Sequence, residues 1–259
     1  MSEPIISLYE WLQTPAGRYL LAWERSRVDA AVADIFGYHA LQLGLPQLNG
    51  LHTNRMSHQW LALDQWGQMH QGQSWSPALF TDFCALPFPS SSLDLVVLPH
   101  ALEYSADPHA TLREVERVLV PEGRVVICGL NPFSLWGLKQ VRARLGLGNL
   151  FLPEGGEFIG YWRLRDWLRL LSLEVEQGEF GCYKPALRSD KWLQRFDCMD
   201  RAGARWWPIL GAAYFLVAVK RVRGMRLLGT AWKSKTTLAA KPVSVAHSVT
   251  DRLNGEKYD

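Results

Sequence analysis

The stretch Leu93–Gly129, LDLVVLPHALEYSADPHATLREVERVLVPEGRVVICG, predicts a strand, a helix and a second strand. The near-continuous branched residues at its two ends are typical of parallel strands covered on both faces. Between them, Asp107 and Pro108 offer an N-cap and a first helical residue, and Pro121 ends the helix. This alternation predicts an α/β domain with a parallel sheet and right-handed crossovers.

Apolar patterns on both sides of this stretch extend the sheet to seven strands in a doubly wound order. A leading helix is predicted over Gly17–Gly37 and a later one over Leu164–Leu171. The five further strands are predicted at His39–Gly44, Gln59–Asp64, Pro77–Phe83, Leu173–Gln177 and Ala212–Val222.

We expect three regions: an N-terminal helical extension (residues 1–37), a main domain (residues 38–229) and a disordered tail (residues 230–259). The main domain is long enough to bury a full hydrophobic core. The tail is rich in Lys, Ser, Thr and Ala without a hydrophobic period, which is typical of chain that forms no packed core.

The composition argues against several classes of protein. The longest apolar run, Trp206–Val219, is short for a bilayer and contains Pro208 and Gly211, so no transmembrane helix is predicted. Because no secretory signal pattern is present, we expect a cytoplasmic protein. Four widely spaced cysteines without clustered histidines indicate no metal site.

The charge distribution argues against nucleic acid as the main ligand. Residues 224–259 hold six of the 28 basic residues and three of the 25 acidic ones. The preceding 223 residues therefore carry equal numbers of both signs, whereas phosphate recognition requires a basic face on the folded domain.

A joint pattern between Asp82 and Gly129 resembles the class I S-adenosylmethionine-dependent methyltransferases of the type 11 group. DFCALPF at residues 82–88 is similar to the family's D-A-x-x-L-P-F, and the strand at Leu93–Val97 follows at the family's interval. LREVERVLVPEG at residues 112–123 is similar to L-R-E-x-x-R-V-L-K-P-G-G.

The resemblance implies a Rossmann-like sheet of seven strands, mostly parallel, whose last strand is antiparallel. It also implies S-adenosylmethionine as the cofactor, bound over the C-terminal ends of the first strands, where ligands of open α/β sheets usually bind. The expected activity is methyl transfer to a small-molecule acceptor that the sequence does not identify.

Two carboxylates are carried over from the family's cofactor site by position. Asp64, 22 residues after Gln42, falls where the family has a carboxylate that accepts from both ribose hydroxyls. Asp82 falls where the adenine amino group binds, beside the backbone N–H of Phe83. Two acceptor oxygens match two adjacent hydroxyl donors. The other positions carried over to the cofactor site are Gln42, Gly44, Leu45 and Pro99.

The loop after the first strand departs from the family's G-x-G-x-G. It reads Gly44-Leu45-Pro46-Gln47-Leu48, and Gln42 stands where the family has an acidic residue. Glycine lets the backbone approach a ligand, whereas Pro46 removes a donor and Leu48 adds bulk. Two hypotheses stay open: a reshaped loop that binds the cofactor, and a loop that has lost it.

Residues after strands four and five are candidates for the acceptor side. His100 and Glu103 are candidate catalytic residues, since a histidine there could act as a general base. The alternative that we favour for His100 is a hydrogen-bonded structural histidine. Three residues at the start of the next segment are candidate substrate contacts: Asn131, Ser134 and Trp136.

A helical insertion is predicted after strand five, with Leu138, Val141 and Leu145 on one face and basic residues elsewhere. Three interpretations stay open, in order of preference: a lid over the acceptor pocket, a solvated amphipathic helix, and a helix that lies on a membrane surface. Peripheral membrane contact is thus the last of the three.

Two functions compete. The first is a small-molecule methyltransferase, supported by Asp64 and Asp82. The second is a non-catalytic relative that keeps the fold as a binding or scaffold module, supported by the altered loop. A nicotinamide-dependent oxidoreductase is the weakest reading, since G-x-G-x-x-G does not follow the first strand.

Overall fold

The structure, a computed structural model, describes residues 8–64, 75–147, 156–185 and 195–222. These residues belong to the first of two units of the chain, Met1–Arg223. The second unit, Gly224–Asp259, lies outside the described residues, and so does the predicted tail. The domain boundaries proposed above remain predictions.

Seven strands form one sheet. They are β1 (His39–Leu43), β2 (His58–Leu63), β3 (Leu79–Phe80), β4 (Leu93–Pro99), β5 (Leu119–Leu130), β6 (Leu173–Gly181) and β7 (Ala213–Lys220). Their order is β3-β2-β1-β4-β5-β7-β6. Strands β1 to β5 pair in parallel, whereas β7 is antiparallel to both of its neighbours. The predicted α/β class, the strand number and the antiparallel last strand are all confirmed.

Six α-helices accompany the sheet within the described ranges. They are α1 (Leu8–Leu12), α2 (Pro15–Val32), α3 (Pro108–Val118), α4 (Leu135–Arg144), α5 (Tyr161–Leu170) and α6 (Asp197–Trp206). A 3₁₀ turn over Pro208–Leu210 precedes β7. The leading helix, the helix after β4, the helix after β5 and the helix before β6 were predicted, whereas α1 and α6 were not.

Local sequence explains where the two main helices begin. The side-chain oxygen of Thr14 accepts from the N–H of Gly17 at 3.2 Å, and Pro15 opens α2. The carboxylate of Asp107 accepts from two N–H groups at the start of α3, and Pro108 is the first helical residue. Both helices therefore start at side-chain caps that satisfy otherwise unpaired N–H groups.

The two faces of the sheet bury separate apolar clusters, because neighbouring strand residues point to opposite faces. On β4, Leu95 and Val97 pack with α1 and α2, whereas Val96 and Leu98 pack with α3 and α5. The sheet is thus covered on both faces, as the unbroken apolar strands predicted. In the part of the chain that the structure describes, no helix is long and apolar enough to cross a bilayer.

Candidate functional site

The parallel strands bring the predicted cofactor residues to one edge of the sheet. Leu43 pairs with Ala62, and Leu63 pairs with Phe80, so the segments that follow β1, β2 and β3 leave the sheet side by side. Strand β4 adjoins β1 on the other side. The C-terminal ends of parallel strands are the usual ligand-binding edge of such a sheet.

The side chain of Gln42 holds the loop after β1 by hydrogen bonds. Its side chain is fully buried, and its Nε2 donates to the carbonyl oxygens of Gly44 at 2.9 Å and Leu45 at 2.8 Å. Its Oε1 accepts from the N–H of Gly50 at 2.8 Å. A carboxylate has no donor and could not make the first two bonds. An amide at this position therefore fits the loop that this chain has.

Gly44 lies at the turn out of β1, with a φ of 76°, in the left-handed region that favours glycine. Its N–H donates to the carbonyl of Ala62 at 2.8 Å, which ties the turn to β2. The ring of Phe83 lies 3.9 Å from the position that a Cβ at Gly44 would take. The structure thus brings together two of the residues predicted from sequence at distant positions.

Buried leucines pack the rest of this loop against α2. Leu45, Leu48 and Leu51 are all buried and belong to the apolar cluster that contains Val28 and Val32 of α2. The guanidinium of Arg25, also on α2, donates to the carbonyl oxygens of residues 47 and 48 at 2.6 and 3.3 Å. Residues 44–57, all described, form turns and no helix between β1 and β2. Side-chain packing against α2 holds this connection instead of a helix.

Asp64 and Asp82 are both exposed at this edge of the sheet. Asp64 directly follows β2, and Asp82 follows β3 by two residues. The carboxylate of Asp82 accepts from the N–H of Cys84 at 2.8 Å, which fixes the turn that positions it. Phe83, between Asp82 and Cys84 in the chain, is buried. The two carboxylates therefore reach solvent from neighbouring strand ends.

A buried ionic cluster lies behind this edge. The Nε2 of His100 is 2.9 Å from a carboxylate oxygen of Glu24, and its Nδ1 is 2.8 Å from a carboxylate oxygen of Glu103. The other oxygen of Glu103 accepts from the N–H of Leu130. All three ionisable side chains are almost fully buried. His100 and Glu103 thus link α2 to the ends of β4 and β5. These contacts support the hypothesis that His100 is a structural histidine.

The cluster perturbs the pKa values of its members. Burial lowers the pKa of His100, but the carboxylates of Glu24 and Glu103 outweigh burial and raise it well above 6.5. Burial raises the pKa of Glu103, against the lowering effect of His100. The imidazole is therefore held in its protonated form between two acidic groups.

Sequence reasoning missed Glu24, although a signal was present. Leu20, Glu24 and Val28 recur at a spacing of four along α2, and all three are fully buried. A carboxylate inside an apolar helical stripe must find a partner when the stripe is buried. The apolar periodicity predicted the helix, but it could not identify His100 as the partner of Glu24, 76 positions away.

The three residues predicted to contact the acceptor form hydrogen bonds within the protein. Asn131 donates to the carbonyls of Ile209 at 2.8 Å and Gly211 at 2.9 Å, and Ser134 caps α4 through the N–H of Gly137. Trp136 is fully buried, and its Nε1 donates to the carbonyl of residue 184 at 2.8 Å. Their contact with an acceptor remains a prediction, as does the contact of Pro99, at the buried end of β4, with the cofactor.

Comparison with known proteins finds a family match in the central part of the chain. Residues 47–127 match the methyltransferase domain family. The uncharacterized protein YafS of Escherichia coli (strain K12) is 33% identical over 167 residues, which cover 64% of this chain and 65% of YafS. A malonyl-[acyl-carrier protein] O-methyltransferase of Halorhodospira halophila is 38% identical over 25% of this chain and 22% of its own length. The chain spans less than two thirds of each of these curated relatives.

Solved structures share the fold. An S-adenosylmethionine-dependent methyltransferase of Archaeoglobus fulgidus has a TM-score of 0.55 at 15% identity, with 77% of this chain and 94% of that chain covered. A Haloferax volcanii protein, solved with the Trm112 methyltransferase activator, has a TM-score of 0.54 at 20% identity, with 81% and 95% covered. The [4+2]-cyclase SpnF has a TM-score of 0.50 at 16% identity, with 77% and 80% covered. These identities establish the architecture alone.

Proposed function

We propose that this chain is a class I S-adenosylmethionine-dependent methyltransferase, which binds that cofactor and methylates a small-molecule acceptor. S-adenosylmethionine is the cofactor that the family implies. The observation that carries the proposal is the pair of exposed carboxylates, Asp64 and Asp82, at the ends of neighbouring parallel strands beside Gly44. The acceptor itself is not identified.

The residues at this edge suit the cofactor's polar groups. Asp64 would accept from the two ribose hydroxyls, and Asp82 would accept from the adenine amino group. Phe83, buried against the Gly44 turn, would give the adenine ring an apolar neighbour. Gln42 would act through the loop, since its side chain is already fully bonded to that loop.

When bound, the cofactor supplies a methyl group on a positively charged sulfonium. The chain's own contribution is to hold the acceptor in line with that methyl group and to exclude water. A general base is needed only if the acceptor must lose a proton. His100 and Glu103 are sealed from solvent and bonded to each other, so in this arrangement they position α2 and the strand ends. We assign them no proton transfer.

A second candidate function, a non-catalytic binding module on the same fold, has one observation in its favour. Pro46 and Leu48 are buried where the family has glycines, and their side chains narrow the approach of a ligand to the backbone of the loop. The structural similarity to SpnF, a cyclase by its description, indicates that this fold also serves reactions other than methyl transfer.

Calorimetric titration with S-adenosylmethionine and S-adenosylhomocysteine tests the proposal. We expect the full chain to bind both ligands. A hydrogen bond to a charged group contributes about 1.5 to 3 kcal/mol, so Asp64→Ala and Asp82→Ala should each weaken binding roughly ten- to a hundredfold. Asp166→Ala, at an exposed carboxylate on α5, is the matched control and should leave the affinity unchanged.

Two results would contradict the proposal in different ways. If neither ligand binds at millimolar concentration, the second function is favoured and the buried leucines of the loop are the cause to examine. If both ligands bind but the affinity ignores Asp64 and Asp82, the cofactor site lies elsewhere on the fold.

A further inference from the structure

Helix α4 presents its apolar stripe to solvent. Its buried face consists of Trp136, Gly137 and Gln140, whereas Leu138, Val141 and Leu145 are each more than half exposed. A surface helix of a globular protein normally buries such a stripe and exposes its polar residues. Here the apolar stripe is exposed together with the basic residues, so α4 offers an apolar face that the described part of the chain leaves uncovered.

A second apolar segment adjoins the start of α4. The side chain of Asn131 donates to the carbonyls of Ile209 and Gly211, and its N–H donates to the carbonyl of Ala212 at 2.8 Å. This network joins the residues before α4 to the 3₁₀ turn before β7. Large side chains on this second segment are exposed by 46 to 71%: Trp206, Trp207, Ile209 and Leu210.

The two segments together form what we call the apolar-basic surface, residues 131–147 and 201–210. Within these two described ranges, every exposed non-glycine side chain is either apolar or basic. The polar uncharged residues Asn131, Ser134 and Gln140 are all buried. Neither range contains an acidic residue, and the basic residues are Lys139, Arg142, Arg144, Arg201 and Arg205.

Ten large apolar side chains of these two ranges are exposed, and large exposed apolar patches on monomeric proteins usually mark binding sites. We propose that the apolar-basic surface docks on anionic lipid bilayers. Aliphatic side chains and tryptophans would enter the headgroup boundary, and the basic residues would pair with lipid phosphates and carboxylates. The charge of the surface selects this occupant, because its five basic residues, with no acidic one in either range, complement an anionic bilayer.

Docking would also orient the molecule. Helix α4 follows β5, so the apolar-basic surface lies at the sheet edge where the strands carrying Asp64 and Asp82 end. That edge would face the bilayer, and an acceptor dissolved in the membrane could reach it. The docking proposal itself does not depend on methyl transfer, because it rests on exposure and charge alone.

Vesicle co-sedimentation of the full chain tests the proposal. We expect binding to phosphatidylcholine vesicles that contain about one third phosphatidylserine, weaker binding to pure phosphatidylcholine, and weakening by salt. The double variants Leu138→Ser/Val141→Ser and Arg142→Glu/Arg144→Glu change exposed residues only. Each should reduce partitioning roughly tenfold or more.

The control is Leu170→Ser with Arg169→Glu, an exposed apolar and basic pair at the end of α5. It should bind vesicles like the unmodified chain, and thermal melts should show that all variants remain folded. The proposal is overturned if the unmodified chain ignores anionic vesicles, or if the α4 variants bind as well as the control. Self-association that the α4 variants abolish, without vesicle binding, would assign the surface to a second copy of the chain.

Discussion

At the scale of single residues, Gln42 holds the loop after β1 through three side-chain hydrogen bonds. The position carries an acid in the resembled family and a glutamine in this chain. In the structure its amide donates twice and accepts once within the loop. The side chain therefore matches the loop of this chain.

Replacing Gln42 by Glu tests that match directly. The carboxylate would face two carbonyl oxygens without a proton to offer, and unsatisfied buried groups cost about 1 to 3 kcal/mol. We expect Gln42→Glu to lower the free energy of unfolding by about that amount in urea titrations. Gln13→Glu, at an exposed glutamine between α1 and α2, should be nearly neutral. Equal stabilities of the two variants would contradict the role assigned to Gln42.

The Glu24, His100 and Glu103 cluster gives stability a predictable dependence on pH. The folded-state pKa of His100 is raised above 6.5, so its stabilising effect is complete below that pH and is lost as pH rises through the raised value. The raised pKa of Glu103 acts in the same direction above 4.5. We expect the urea midpoint to fall as the pH rises above about 6.5.

Glu24→Gln should make that decline smaller and end it at a lower pH, because one of the two carboxylates that raise the folded-state pKa of His100 is removed while its unfolded-state pKa is unchanged. Glu157→Gln, at an exposed carboxylate, is the control and should follow the unmodified chain. Parallel pH profiles for Glu24→Gln and the unmodified chain would show that the cluster does not titrate as described.

At the scale of elements, the connection between β1 and β2 is the clearest departure from a regular doubly wound sheet. Parallel strands are usually joined by a helix that covers the sheet. Here α2, which precedes β1, provides the cover, and buried leucines of the connection pack against it. Sequence patterns alone do not show that these leucines pack against α2.

Replacing Leu48 by alanine tests how much this packing contributes to the free energy of unfolding. It is fully buried, and truncating a buried leucine to alanine costs about 2 to 5 kcal/mol. We expect Leu48→Ala to lower the free energy of unfolding within that range. Leu170→Ala, at a leucine that is 83% exposed, should change it by less than about 0.5 kcal/mol. A neutral Leu48→Ala would mean that the connection contributes no stability.

At the scale of the whole molecule, the sheet is complete within the described residues, since β7 lies between β5 and β6 and ends at Lys220. The ammonium of Lys220 donates to the carbonyls of Glu116 and Leu119, which joins the last strand to the end of α3. These contacts connect distant parts of the chain.

Truncation after residue 229 should therefore leave a folded protein, because the sequence beyond it has no periodic apolar face to contribute. We expect cooperative thermal unfolding, with a midpoint close to that of the full chain. A broad, non-cooperative transition in the shortened chain would show that the tail takes part in the fold.

The sequence by itself determined the order and type of most elements, the seven-stranded sheet and the likeness to a methyltransferase domain. Those features depend on local periodicity, caps such as Asp107-Pro108 and motifs read within a few dozen residues. Helix α1 was missed because it spans only five residues, and helix α6 because its sequence has few large apolar residues and contains Gly203.

Only the tertiary structure decided what the polar and exposed residues do. It joined Glu24 to His100, directed the amide of Gln42 into the loop, buried Trp136 and turned the apolar stripe of α4 outward. Each outcome depends on which distant segment packs against the residue. Periodicity reveals that a face is apolar, but the partner that covers it, or leaves it bare, is fixed by contacts between segments far apart in the chain.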